Sequence, residues 1–269
     1  MAAAVPAGPA AGPTVIPADE DDLQLTRTGF NPTVDDVLDV RDMLVQLRIP
    51  IEVVLDIVSF ASYYPRQSNI KQFAREYVAD HFWSPGPQAS ITGLYMIVAT
   101  LPFPDDGARA RSITFQIKGA DQGWADFGGH GTYHNSHTWY EASILRPRHG
   151  EPGVRVADLA SIDIPNFRSP EDARAYLEDH GWTMVPNNDA VAWRVHNNIT
   201  ARSESKYYRV DWVAGIPTVV EEPQAMGDGQ GFLELLRSGD IVGLWARAEQ
   251  QAWVNKIQGA TMEIEYEVL

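Results

Sequence analysis

The chain changes hydrophobic period part-way along. From Thr33 onward, apolar residues recur at helical spacing: Val34, Val37, Leu38, Met43, Leu44 and Leu47 form an approximate stripe. Thr33 is a suitable N-cap, and Asp35 and Asp36 sit in the first turn, where acids oppose the positive end of the helix dipole. Pro50 ends that helix, because the residue before a proline is driven out of helical geometry. A second helix is expected from Ile51 to about Tyr63, with Val54, Leu55, Val58 and Ala61 or Ser62 facing inward. Ile70 to Phe82 predicts a third, on Phe73, Tyr77 and Phe82. Residues 30–84 therefore read as a small helical unit.

Beyond Pro85-Gly86-Pro87 the period becomes two. Leu94–Leu101 is a continuous apolar run, as in a strand buried on both faces. Arg111–Lys118, Thr138–Ile144, Val191–Asn197 and Lys206–Trp212 alternate. The last strand alternates most cleanly, with Met262, Ile264, Tyr266 and Val268 on one face. Glu263, Glu265 and Glu267 occupy the other and read as a solvated, edge-protecting row. Only Pro170–His180, capped by Ser169 and closed by Gly181, and a short turn at Gly231–Arg237 read as helical here. Too few helices separate the strands for a parallel sheet. Residues 88–269 predict a mainly β fold, an antiparallel sandwich or jelly roll. Trp193, Trp212 and Trp245 fall on strands beside other apolar residues and read as core.

Composition narrows the function classes. The 269 residues include no cysteine, which excludes disulfides, thiolate metal sites and a cysteine nucleophile. A formal net charge of −15 opposes gripping nucleic acid through its phosphates, or an anionic membrane through charge. Residues 1–29 carry seven Ala, four Pro and three Gly, with an acidic run at Asp19–Asp22. Prolines interrupt every apolar stretch there, so this segment reads as a disordered tail rather than a signal peptide. No apolar run is long enough for a membrane span, and a cytoplasmic or nuclear setting is expected. In that setting the sequon Asn198-Ile199-Thr200 carries no sugar.

The densest polar and aromatic segment runs from Asp121 to Glu141. The candidate ligand-binding residues are Asp121, Trp124, His130, Tyr133, His134, His137, Trp139 and Glu141. Loop His, Tyr and Trp side chains supply hydrogen bonds and stacking to a glycan or a protein surface. The same segment admits a metal reading, a cupin-like jelly-roll enzyme using His130, His134, His137 and Glu141. Its spacing departs from two histidines one residue apart on a strand. No serine has a nucleophile-elbow context and no carboxylate pair has a catalytic companion, so recognition without catalysis and without a cofactor is the leading expectation. Gly227-Asp228-Gly229-Gln230-Gly231 lacks the lysine of a phosphate-binding loop and reads as a flexible connection.

Ile49-Pro50-Ile51-Glu52-Val53-Val54-Leu55-Asp56-Ile57-Val58 resembles the opening of an F-box. The resemblance covers about ten residues. It implies docking on a cullin adaptor through Ile49, Pro50, Ile51 and Leu55, and a role as substrate adaptor of a ubiquitin ligase. A full helix precedes the motif, and the usual downstream Val-Cys-x-x-Trp-like segment is missing. Asp121-Gln122-Gly123-Trp124, Gly131-Thr132-Tyr133, Thr138-Trp139, Gly231-Phe232-Leu233, Gly239-Asp240 and Trp245-Ala246-Arg247-Ala248 resemble segments of uncharacterised fungal proteins. That likeness implies a fungal context and no particular activity.

Overall fold

The computed structural model describes residues 23–80, 89–101, 107–126, 128–148, 159, 162–188, 190–220 and 222–269. In chain order the elements are α1 (Val34–Gln46), α2 (Ile51–Phe60), β1 (Arg66–Lys71), β2 (Arg75–Val78), β3 (Ser90–Ala99), β4 (Ala108–Ala120) and β5 (Thr138–Pro147). There follow α3 (Pro170–Asp179), β6 (Trp182–Met184), β7 (Trp193–Asn197), β8 (Lys206–Val213), α4 (Phe232–Leu235), β9 (Ile241–Glu249) and β10 (Val254–Val268).

The strands form two five-stranded sheets packed face to face. The first has the order β1–β10–β4–β8, with β2 also on β10; the second has the order β3–β9–β5–β6, with β7 also on β5. Every pairing is antiparallel. The expected mainly β sandwich is the architecture. Period-two alternation sends Ile113, Phe115 and Ile117 of β4, and Met262 and Ile264 of β10, into one core with Tyr140, Ala142 and Ile144 of β5. Trp193 and Trp212 lie in that core. Trp245 belongs to a second core on the far side of the second sheet, where α3 lays Ala173 and Leu177 over Leu145, Trp182 and Met184. β5 is thus buried on both faces.

Both helices of the N-terminal hairpin form as expected, and Thr33 and Asp36 make a complete capping box. The third helix does not form. Ile70 ends up exposed on β1, Phe73 exposed between the strands, and Tyr77 in the sandwich core from β2. Phe82 and the Pro85-Gly86-Pro87 boundary lie outside the described residues. The helical stretch therefore ends near Phe60, and residues 66–78 belong to the first sheet rather than to a helical unit reaching 84. The polar residues of β1 explain the misleading pattern. Asn69 donates to the Ile97 carbonyl (2.7 Å) and Lys71 to the Tyr95 carbonyl (2.6 Å), tying one sheet to the other with hydrogen bonds instead of apolar contacts.

The expected tail over 1–29 is also corrected in its last residues; positions 1–22 lie outside the described set. Leu23 is buried, and residues 23–31 cross the outer face of the first sheet. Glu263 accepts from the Thr26 N–H (2.7 Å) and hydroxyl (2.9 Å), and Glu265 pairs with Arg27 (3.1 Å). The acidic row on β10 is therefore not a solvated edge. β10 is an interior strand, Glu263 is buried, and Glu267 faces Arg109 at 2.6 Å. Among the described residues, no helix is long and apolar enough to cross a membrane.

Candidate functional site

At one end of the sandwich the loops before β5 and after β7 are stitched together. Asp121, fully buried, accepts from the backbone N–H groups of Gly123 (2.7 Å) and Ala201 (2.6 Å). Burial pushes its carboxyl above the usual range, against the pull of those backbone donors. The Gly131 N–H donates to the Thr200 carbonyl, and the Thr200 hydroxyl donates to the His134 carbonyl (2.8 Å). Asn198 is buried and donates to Thr138 (3.0 Å) and Asn255 (3.2 Å), so this sequon is closed to modification in the folded chain.

This stitching shapes a groove of about 480 Å³. Tyr133, His134, Asn135 and Ser136 form one wall, Arg194 and Asn197 the floor, and Pro223 to Gly227 include the other wall. That second wall is pinned to β7, because the Asn197 N–H and carboxamide donate to the carbonyls of Ala225 (2.7 Å) and Gln224 (2.8 Å). Gly227 has no room for a side chain, since a Cβ would overlap the Arg194 carbonyl. Behind the first wall, Tyr133 meets His196 edge-on at 5.4 Å, and His196 stacks on Tyr208 at 4.4 Å.

The eight predicted site residues separate. Only Tyr133 and His134 line the groove. Asp121 is a structural turn residue, His130 is exposed on its loop, and Trp124 is 47% exposed but lies outside the groove. His137 packs edge-on against Trp253 (4.8 Å). Trp139 and Glu141 are buried beneath the floor. The Trp139 indole N–H donates to Glu141 (2.7 Å), while the Arg194 and Arg247 guanidiniums lie 4.0 and 4.8 Å from its ring. Glu141 also pairs with Arg247 (3.2 Å) and Arg194 (3.7 Å). Burial lowers the Arg194 pKa, and Glu141 opposes that shift.

This packing overturns the four-residue metal reading. Among the described residues no group of three or more His, Asp or Glu is placed to hold a metal ion. Glu141 is committed to two guanidiniums and an indole, and His137 turns to Trp253. Arg194, Asn197 and Gln224 are the site residues that sequence reasoning missed. No local motif marks them, since β7 and the 223–227 segment meet the Tyr133 loop only through the fold.

The α1–α2 hairpin is the second notable surface. It buries Val37, Val54 and Val58, and the small core beneath it holds Val37 and Val58 with Tyr64 and Val268. Half of the expected stripes instead face solvent. Met43, Leu47 and Leu55 are exposed, with Leu47 at 73% and Phe60 at 89%. Ile51, Val53 and Ile57 are exposed as well. α2 is thus apolar everywhere except along Glu52, Asp56 and Ser59. A helix of that kind is ordinarily covered. Of the four predicted docking residues, Pro50, Ile51 and Leu55 are exposed and Ile49 is half-buried.

No family model and no curated protein matches the chain. One similar solved structure is that of deformed wing virus carrying the GFP gene, at 12% identity and a TM-score of 0.19. The match covers 100% of this chain and 59% of the viral chain. At that score it carries no argument about fold or function.

Proposed function

We propose that this chain is a non-catalytic recognition and adaptor protein. The observation that carries the reading is the row of large apolar side chains that α2 leaves in solvent beside a sandwich whose own cores are filled. Such a surface gains stability by being covered, at roughly 25 cal/mol per Å² of apolar area removed from water. The buried carboxylates favour recognition over catalysis, since Asp121, Glu141, Asp240 and Glu263 are each taken up by structural donors.

The finer reading is an F-box-type adaptor docking a cullin adaptor through the hairpin. The expected result is that the tagged full chain recovers that protein from a lysate of its native cell in stoichiometric amount. Leu55→Asp with Phe60→Ser should abolish recovery while leaving the melting temperature near wild type, because both positions are exposed. Undiminished recovery by the double variant, or no stoichiometric partner at all, would overturn the docking role.

The groove supports a ligand-reading role for the sandwich. A phenol, an imidazole, a carboxamide and a guanidinium face one open channel, which suits the hydroxyl groups of a glycan or a polar protein loop. On an array of neutral oligosaccharides, a bound glycan should lose roughly tenfold in affinity with Tyr133→Ala or Gln224→Ala. Equal binding by both variants would move the site elsewhere.

A further inference from the structure

A second cleft, of about 350 Å³, lies on the far side of the glycine-rich segment that walls the groove. Its floor is Trp212, held edge-on to Phe115 (5.0 Å) and tilted against Phe232 (5.1 Å). One wall is the turn after β8, where the Ile216 N–H donates to the Val213 carbonyl (3.1 Å). The other is the loop from Asp228 into α4. The walls are tied together by the Thr218 hydroxyl, which donates to the Asp228 carbonyl (2.7 Å). Gly229 lies flat on the indole with φ at +67°, and a Cβ there would overlap the ring carbons. The loop is therefore a fitted wall, not the flexible connection its composition suggests.

The chemistry of this cleft is lopsided. Trp212 and Leu233, both buried, and Ile216, 64% exposed at the rim, supply apolar lining beside the polar Thr218 and Gln230. Among the described residues Asp228 and Glu234 are its only charged lining residues, and no basic side chain lines it. Among the described residues the Asp228 carboxylate accepts one bond, from the Gln230 N–H (3.0 Å), which leaves carboxylate capacity open. Glu234 has no ion-pair partner among the described residues. Among the described residues the buried Trp212 indole N–H has no hydrogen-bond partner.

We propose that this cleft binds a basic peptide segment of a partner protein. A leucine-like side chain would lie between Ile216 and Leu233, and a neighbouring Lys or Arg would pair with Asp228 and Glu234. Apolar side chains beside two acids without ion-pair partners select a cation on an apolar stem and reject anions. The net charge of −15 argues against a second copy of this chain as the occupant. The inference stands apart from the roles given to the groove and the hairpin.

The test is an NMR titration of the full chain, following the Trp212 indole resonance. The probes are a capped heptapeptide alternating leucine with arginine, its glutamate counterpart, and spermidine. The arginine peptide should shift the Trp212 resonance saturably and bind more weakly as salt rises. Asp228→Asn with Glu234→Gln should weaken binding roughly tenfold, while the asparagine still accepts from Gln230 and holds the loop. Three outcomes would overturn the proposal: no Trp212 shift at millimolar peptide, an equal response to the glutamate peptide, or full affinity in the double variant. A response to spermidine matching that of the peptide would overturn the peptide assignment in favour of free amines.

Discussion

Arg146→Ala is expected to destabilise the fold by about 3 kcal/mol, the lower end of the range for breaking a buried ion pair. Arg146 ends β5 and grips Asp240, just ahead of β9, with two bonds of 2.8 Å. Its guanidinium also donates to the Leu235 carbonyl at 2.7 Å. The Asp240 side chain is 1% exposed and that of Arg146 is 22% exposed. Without Arg146 the buried carboxylate keeps only the Arg237 backbone N–H (2.8 Å), and the Leu235 carbonyl loses its donor. Exposure of the arginine and survival of that one donor place the effect at the low end. Urea unfolding should show a lower midpoint with an unchanged slope. Arg146→Met combined with Asp240→Asn should lose less than Arg146→Ala alone, because no uncompensated charge remains. A loss in Arg146→Ala of under about 1 kcal/mol, the range of a surface pair, would mean that water already screens this contact.

Acid should weaken the fold through His196. Burial against Tyr208 pushes the His196 pKa down to about 4, although its Nδ1–H donates to the Asn197 carbonyl at 2.7 Å. The unfolded chain protonates this histidine near 6.5 and the folded chain does so only near 4. Between those values the unfolded state binds more protons, so stability falls as pH drops from about 6.5 to about 4. The full shift corresponds to about 3 kcal/mol at 1.36 kcal/mol per unit. His137, also lowered by burial, acts in the same direction, whereas Asp121, raised by burial, acts oppositely and nearer the carboxylate range. Urea midpoints measured at pH 7 and pH 4.5 should differ in the wild type and differ much less in His196→Gln. The same pH slope in both proteins would remove His196 as the cause. Because His196 backs Tyr133, the groove wall should loosen over the same interval.

The sequence made the helix starts and the long strands legible, because Thr33 with Asp36 and the alternation of β4 and β10 are local signals. It hid β1 and β2. Ile70, Phe73 and Tyr77 are spaced like a helix face, and the residues of β1 that reach the other sheet are Asn69 and Lys71, which no hydrophobic pattern detects. Glu263 and Glu265 looked solvated because their partners, Thr26 and Arg27, arrive from the opposite end of the chain. In the groove, Tyr133 and His134 were visible within a polar, aromatic run. Arg194 and Gln224 were not, since each reads locally as an ordinary surface residue. Trp139 and Glu141 misled for the converse reason: alternation places them on the outer face of β5, but two arginines from neighbouring strands roof that face over.

The interior position of β10 governs the order in which the molecule can be built. β1, β2 and β4 each pair with this strand, and the Thr26 segment rests on its carboxylates. During synthesis β1 and β2 leave the ribosome before the strand they pair with, and β4 can pair only with β8 until residues 254–268 arrive. The first sheet must close late, through contacts between distant parts of the chain, a slow step that exposes aggregation-prone edges meanwhile. A premature stop before Val254 would not shorten this sheet by one strand; it would take away the partner of β1 and β2 and leave only the β4–β8 pairing.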